Sequence, residues 1–411
     1  MNQTLRNDAE QIVKCAIDAV KPDAAVKRAL ESIELTGDIY LVAAGKAGWQ
    51  MAAAAVNDLP CAVKEGIVVT KYDHVKGEIP GVRCFEAGHP VPDENSFAAT
   101  RAVLEMTKNL REEDTVLFLL SGGGSALFEA PKVSGEELQD ITKQMLACGA
   151  DITEINTIRK RLSHVKGGRF AAWCAPARVE AIVLSDVLGD PLDMIASGPA
   201  APDTTTCADA QAIAEKYGLQ MSDAAKTCLT EETPKTLTNV RSQIIGSVRE
   251  LCRAAEEACR ELGYRPMFLT DLLCCEAREA GSMLASILKS HAGKGEKLAF
   301  LMGGETVVHL KGTGLGGRNQ ELALAAGEAL SGIDGAAVVS AGSDGTDGPT
   351  DAAGGYADGE TKSDLAAKGM CLAAYLDDND AYHALKAVDG LIMTGPTGTN
   401  VNDVTIGLLE R

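Results

Sequence analysis

The chain has 411 residues, 45% of them hydrophobic, enough for a large core and too many for one typical domain. A formal net charge of -19 repels nucleic acid and anionic membrane surfaces and sets both aside as main partners. Aromatic residues make up only 4% while glycine fills 42 positions, a profile suited to an α/β protein with many tight strand-to-helix turns.

In chain order, the opening MNQTLRNDAEQIVKCAIDAV reads as an amphipathic helix and lacks the basic, apolar and small-residue order of a signal peptide. Apolar runs at 39–44, 66–70, 115–120 and 179–184 predict buried strands, with helical patterns at 94–108 and 134–148. Further strands are expected at 241–246, 265–270, 297–302, 306–310 and 335–341, and helices at 246–262, 276–290 and 318–331. Continuous apolar strands between amphipathic helices predict an α/β fold of two domains, each a mostly parallel sheet covered by helices. The polar, Pro-containing stretch EETPKTLTN at 231–239 places the boundary, giving domains 1–236 and 237–411. No apolar run reaches the roughly 18 residues a membrane span needs. Twelve Cys occur without any C-x-x-C, so reduced thiols and a cytoplasmic setting are the simple expectation.

Ligands of open α/β sheets bind beyond the carboxyl ends of the strands, and four glycine-rich or acidic segments fall there. After 39–44 comes Gly45-Lys46-Ala47-Gly48, where a lysine can reach a phosphate at a helix start; a solvated surface lysine is the ordinary alternative. After 115–120 comes Ser121-Gly122-Gly123-Gly124-Ser125-Ala126, whose successive amides can cradle an anion. One glycine would satisfy a plain turn, so three in a row with two hydroxyls favour a ligand. Gly312-Thr313-Gly314-Leu315-Gly316-Gly317 has the G-x-G-x-x-G shape but no acidic residue closing the next strand; Arg318 beside it suits phosphate or carboxylate. The acidic segments Ser185–Asp190 and Gly342–Asp351 offer carboxylates for Mg²⁺ or for proton transfer, although Asp-Gly turns alone account for such sequences. Walker-type, protein-kinase and G-x-S-x-G signatures are absent. His89 sits in the constrained loop GHPVPD, and a lone histidine carries no catalytic assignment.

The motifs together resemble a known family, the glycerate 2-kinases with an N-terminal glycerate kinase domain and a C-terminal MOFRL domain. The matching segments are AAGKAG at 43–48, GHPVPDENS at 88–96, LLSGGGSALF at 119–128, INTIRKRLSHVKGGRFA at 155–171, LSDVLGD at 184–190 and IASGP at 195–199. The second half adds GGETVVHLKGTGLGGRNQELALA at 303–325, SDGTDGPTDAAGG at 343–355 and TGPTGTNVNDV at 394–404. Leu188 replaces a usual Pro, and Pro191, Asp193 and Ala200 stand where other residues are common. The resemblance implies a Rossmann-like first domain and a cleft between the two. The implied reaction moves the ATP γ-phosphoryl group to the C2 hydroxyl of glycerate, assisted by Mg²⁺ or another divalent metal. Lys46 and Arg318 fall on the positions the family places at its catalytic centre. Around them, Asp186 is the expected orienting or deprotonating group. Ser121, Gly122, Gly123, Gly124, Ser125, Asp190, Gly314, Gly316 and Gly317 are expected to bind substrate or phosphate, with Asp344 and Asp347 on the metal. The expected partners are small molecules, with neither nucleic acid nor membrane. The competing reading is a hydroxypyruvate reductase using a nicotinamide cofactor, against which stands the missing acidic ribose contact.

Overall fold

A computed structural model describes residues 1–410. Its first sheet contains β1 (Ile39–Ala44), β2 (Glu65–Lys71), β3 (Val82–Ala87), β4 (Thr115–Leu120), β5 (Arg178–Leu184) and β6 (Val240–Gly246), in the order β3-β2-β1-β4-β5-β6. The four pairings that join β1 through β5 are all parallel. Parallel strands need helical crossovers, and the sequence punctuates them clearly. Asp93 forms a capping box with Ser96 at the start of the helix Glu94–Met106, which buries Phe97, Ala99, Val103 and Met106. Phe118, Phe128 and Phe170 meet beside the sheet with ring centroids 5.0–5.5 Å apart. Each fully buried ring of this kind stabilises by roughly 1.5–3 kcal/mol.

The second sheet holds β7 (Arg265–Leu273), β8 (Leu298–Gly304), β9 (Ala336–Gly342), β10 (Gly354–Asp358), β11 (Leu391–Ile392) and β12 (Asp403–Leu409), ordered β11-β10-β9-β12-β8-β7. It is mixed rather than mostly parallel. Only β7–β8 run parallel; β12 lies antiparallel between β8 and β9, and β10 is antiparallel to both β9 and β11. Every residue of β8, β9, β10 and β12 is buried; β8 and β9 give the continuous apolar reading that parallel strands give, whereas β10 and β12, with Gly, Asp and Thr among their residues, fall outside the expected strands. The expected strand at 306–310 does not form. That segment makes one isolated bridge, Val307 to Glu276, and Leu310 is 80% exposed.

The chain divides into two compact units, one spanning Pro22–Ile245 and the other combining Met1–Lys21 with Gly246–Arg411. These units differ at both ends from the expected 1–236 and 237–411 division. β6 completes the first sheet and moves that boundary downstream. The opening helix Gln3–Ala19 packs on the helix Val248–Glu261 and on β9 and β12, burying Leu5, Ala9, Ile12, Val13, Ala16 and Ile17. Its position is pinned by the Tyr264 hydroxyl donating to Asp8 over 2.7 Å and Thr399 donating to the Val20 carbonyl over 2.9 Å. An apolar stripe tells a helix to pack but not on which sheet.

Candidate functional site

In the 22–245 unit the carboxyl ends of β1, β4 and β5 lie side by side, and the residues that follow them converge. Gly45 has a φ of +123°, and a side chain there would lie 2.2 Å from the Ser121 Oγ; only glycine lets the two turns touch. Ser121 Oγ accepts from the Ala47 amide at 3.1 Å, and the Lys46 amide donates to the Gly122 carbonyl at 2.9 Å. Gly123 is left-handed, with a φ of +84°, and opens the helical turn Gly124–Leu127. That left-to-right alternation forms a concave row of amides.

Each glycine of the triplet has its own neighbour. A Cβ on Gly122 would fall 2.0 Å from Asp186 Oδ2, one on Gly123 would fall 3.0–3.1 Å from the His89 ring and 3.2 Å from Lys46 Cγ, and one on Gly124 would fall 2.7 Å from the Ala196 Cβ. The triplet therefore keeps Asp186, His89, Lys46 and the 195–199 segment within reach of one another. Lys46 is half-buried and has no carboxylate within ion-pair distance among the described residues. His89 carries a pKa lowered to about 4, first by burial and then by Lys46, Lys71 and His74, so it is neutral at pH 7. The sequence offered only a constrained loop for His89; its place against Gly123 follows from the fold. Asp190 has a φ of +54° and a buried Oδ1 without a partner.

In the other unit, Arg318 opens the helix Arg318–Ala329. Its Nε and one terminal nitrogen grip both oxygens of Asp403, at 2.6 and 3.0 Å, and the other terminal nitrogen lies 3.1 Å from Glu305. Glu305 follows β8 and Asp403 begins β12, directly beside Gly304 and Gly342 in the register. Burial by itself would lower the Arg318 pKa, but Asp403 and Glu305 together raise it. Asp403, only 4% exposed, has its own pKa pushed up by burial despite that arginine.

The first part of the G-x-G-x-x-G loop is held by an acidic turn. The Gly314 amide donates to the Asp378 carbonyl, Thr313 to the Asp378 carboxylate, Leu315 to Asp380, and Lys311 and Gly312 to the Asn379 side chain. Side chains on Gly312 and Gly314 would fall 2.3–2.4 Å from the 378–380 segment, and Gly316 packs against Ala381. The 378–380 turn thus occupies the amides of residues 311–315, Gly314 among them, while those of Gly316 and Gly317 are not bonded to it. Gly317 admits Asp347, whose carboxyl group accepts from the Asn319 amide at 3.2 Å and the Gln320 amide at 2.9 Å. Asp347 is the cap of the Arg318 helix, with both oxygens engaged, and burial raises its pKa to about 6.

Asp347 is accordingly not free to serve a metal as expected. Asp344 accepts the Thr346 amide on one oxygen, and a Cβ on Gly342 would lie 3.3 Å from Asp344 and 3.4 Å from Asp403. No group of three His, Cys, Asp or Glu side chains placed to hold a metal ion is present among the described residues. Magnesium retains waters and commonly takes one or two carboxylates plus phosphate oxygens, so Asp344 fits a metal that arrives with a nucleotide. No helix among the described residues is long and apolar enough to cross a membrane.

Comparison with known proteins agrees with this architecture. Residues 8–230 match the family described as a domain of unknown function, DUF4147, and residues 298–403 match the MOFRL family. A D-glycerate 2-kinase of Thermotoga maritima is 54% identical over 99% of both chains, and a glycerate 2-kinase of Pyrococcus horikoshii is 39% identical over 98% of this chain and 97% of its own. An Agrobacterium vitis relative with a provisional hydroxypyruvate reductase name is 37% identical over 97% of this chain and 93% of its own. The crystal structure of the Thermotoga maritima glycerate kinase superposes with a TM-score of 0.97, over 99% of this chain and 100% of that one.

Proposed function

Because the chain belongs to the glycerate 2-kinase family, we propose that it transfers the γ-phosphoryl group of ATP to the C2 hydroxyl of glycerate, giving 2-phosphoglycerate and ADP. The observation that carries the reading is the cluster around the glycine triplet, where an unpaired lysine, a neutral histidine and a carboxylate surround a concave row of amides. Phosphoryl transfer asks mainly for positioning and for neutralisation of charge. Lys46 supplies a positive charge to the transferring phosphate. Asp186, held against Gly122, orients the C2 hydroxyl and takes its proton as the C2 oxygen bonds to the γ-phosphorus and the bond to the β–γ bridging oxygen breaks. His89, kept uncharged first by burial and then by its cationic neighbours, contributes a ring hydrogen bond without adding charge. Arg318, held bidentately by Asp403 and paired with Glu305, has its charge answered within its own unit and serves to fix the ends of β8 and β12. Asp344, with one oxygen on the Thr346 amide, would be the carboxylate offered to a divalent metal, which when bound would supply charge neutralisation for phosphate oxygens.

The hydroxypyruvate reductase alternative gains little from the 312–317 loop, where the amides of Gly312, Thr313, Gly314 and Leu315 are already bonded to residues 378–380. The deciding experiment supplies ATP, Mg²⁺ and glycerate. The product should feed enolase without phosphoglycerate mutase, and its proton-coupled phosphorus NMR signal should be a doublet from a CH ester. Formation of 3-phosphoglycerate alone would overturn the C2 assignment. Consumption of NADH with hydroxypyruvate, and no ADP from glycerate, would overturn the kinase.

A further inference from the structure

The 22–245 unit buries an unusual set of cations on or near the helix Ile152–Arg161. Lys160, Arg161 and Lys166 are each 0% exposed, and each has a carboxylate to answer it. Lys160 lies 2.9 Å from Asp203 and 3.2 Å from Asp193, Arg161 lies 3.1 Å from Asp203, and Lys166 lies 3.6 Å from Glu129. Such pairing is what burial of charge demands. Arg159, on the same helix, breaks the pattern. No carboxylate lies within 4 Å of it among the described residues; one terminal nitrogen donates to the Ser125 carbonyl at 3.0 Å, and its buried Nε has no partner. Burial lowers its pKa, opposed only by the more distant charge of Glu129.

The place where this uncompensated guanidinium sits is built with care. Ser125, whose carbonyl it holds, ends the glycine turn, and the Ser125 hydroxyl lies 3.3 Å from that of Ser197. Ser197 in turn donates over 2.7 Å to Asn156, one helical turn before Arg159. Ala196 and Ser197 adopt left-handed conformations, with φ of +51° and +62°, which cost energy for residues bearing a Cβ. The fold holds them there through the Lys166 ammonium on the Ala196 carbonyl and the Gly167 amide on the Ser197 carbonyl, at 3.4 and 3.0 Å. Two hydroxyls and one guanidinium without a carboxylate partner are thus gathered at the Ser125 end of the glycine turn, while Lys46 lies against Gly123.

We propose that Arg159 receives the carboxylate of the hydroxy-acid substrate, a role that rests on the phosphotransfer reading and gives it its selectivity for acids. Arg318 is a poor candidate for this task because Asp403 and Glu305 already neutralise it. Lys46, at the opposite end of the turn, is left for the transferring phosphate. A planar fork suits a carboxylate, and removing it leaves the acid without its counter-charge beside the partly buried helix Ile152–Arg161.

The test compares wild type, Arg159→Met and Arg159→Lys on glycerate and on its uncharged amide, 2,3-dihydroxypropanamide. Arg159→Met should raise the KM for glycerate by roughly 10²-fold, the scale for losing one partner of a buried charge pair, with a much smaller loss on the amide. Arg159→Lys should recover part of the loss. An unchanged KM for glycerate, or equal losses on acid and amide, would overturn the proposal while leaving the kinase standing. Calorimetric titration of wild type and Arg159→Lys with glycerate alone separates the two ideas. If wild type makes no ADP from glycerate the kinase reading falls, and the affinity difference still decides whether Arg159 binds the acid.

Discussion

Arg318→Ala is expected to damage the fold as well as turnover, which departs from what a residue lining a wet cleft would do. Asp403 is 4% exposed and depends on Arg318 for both of its oxygens, while the buried Asp347 adds a further carboxylate nearby. Deleting the arginine leaves Asp403 as an unpaired buried charge, for which about 3–5 kcal/mol is the usual cost. At about 2–4 °C per kcal/mol for a unit of this size, the melting temperature should fall by roughly 10 °C. Removing Asp403 at the same time, in an Arg318→Met/Asp403→Leu variant, should restore most of that stability without restoring turnover. The pH dependence has a definite sign. Loss of the arginine raises the folded-state pKa of Asp403 further above its unfolded value, so the deficit is complete above that raised pKa. It shrinks as acid protonates the carboxylate and disappears below the unfolded value. Calorimetry and chemical denaturation at several pH values would check this. A single variant that melts like wild type, or a double variant less stable than the single, would refute the reasoning.

Lys46→Ala should behave in the opposite way, losing roughly 10²-fold or more in kcat with little change in melting temperature, because no buried carboxylate depends on it. Circular dichroism melting beside steady-state kinetics would show the contrast, and near-normal turnover would remove Lys46 from the reaction. The His89 ring should titrate at about 4 in a proton NMR experiment, and Lys46→Met should shift it upward by removing one of the cations that hold it down. A wild-type value near the ordinary histidine range would mean that His89 is not enclosed as described.

The local grammar of this chain was readable without its fold. Apolar runs such as TVLFLL and IYLVAA became β4 and β1, and the Ser121–Ser125 turn lies directly after β4 because only glycines permit its close contacts. These are properties of neighbouring residues, and sequence records neighbours well. Lys46 was legible for the same reason, since a lysine directly after a strand falls at the ligand end of a parallel sheet. What needed the tertiary structure was every relation between distant segments. The opening helix joined the sheet formed by residues after 246, because an amphipathic face specifies burial without naming its partner. β12 entered between β8 and β9 in the antiparallel sense, which a strand buried on both faces cannot announce. The 312–317 glycines had the composition of a phosphate loop, yet residues 378–380 took the amides of Gly312 and Gly314, and Asp347 became a helix cap in place of a metal ligand. Arg159 lay unremarked in a run of basic residues. Its significance arises from the carboxylates that answer Lys160, Arg161 and Lys166 and leave it alone, and charge compensation across 37 to 43 residues is decided only when the chain folds.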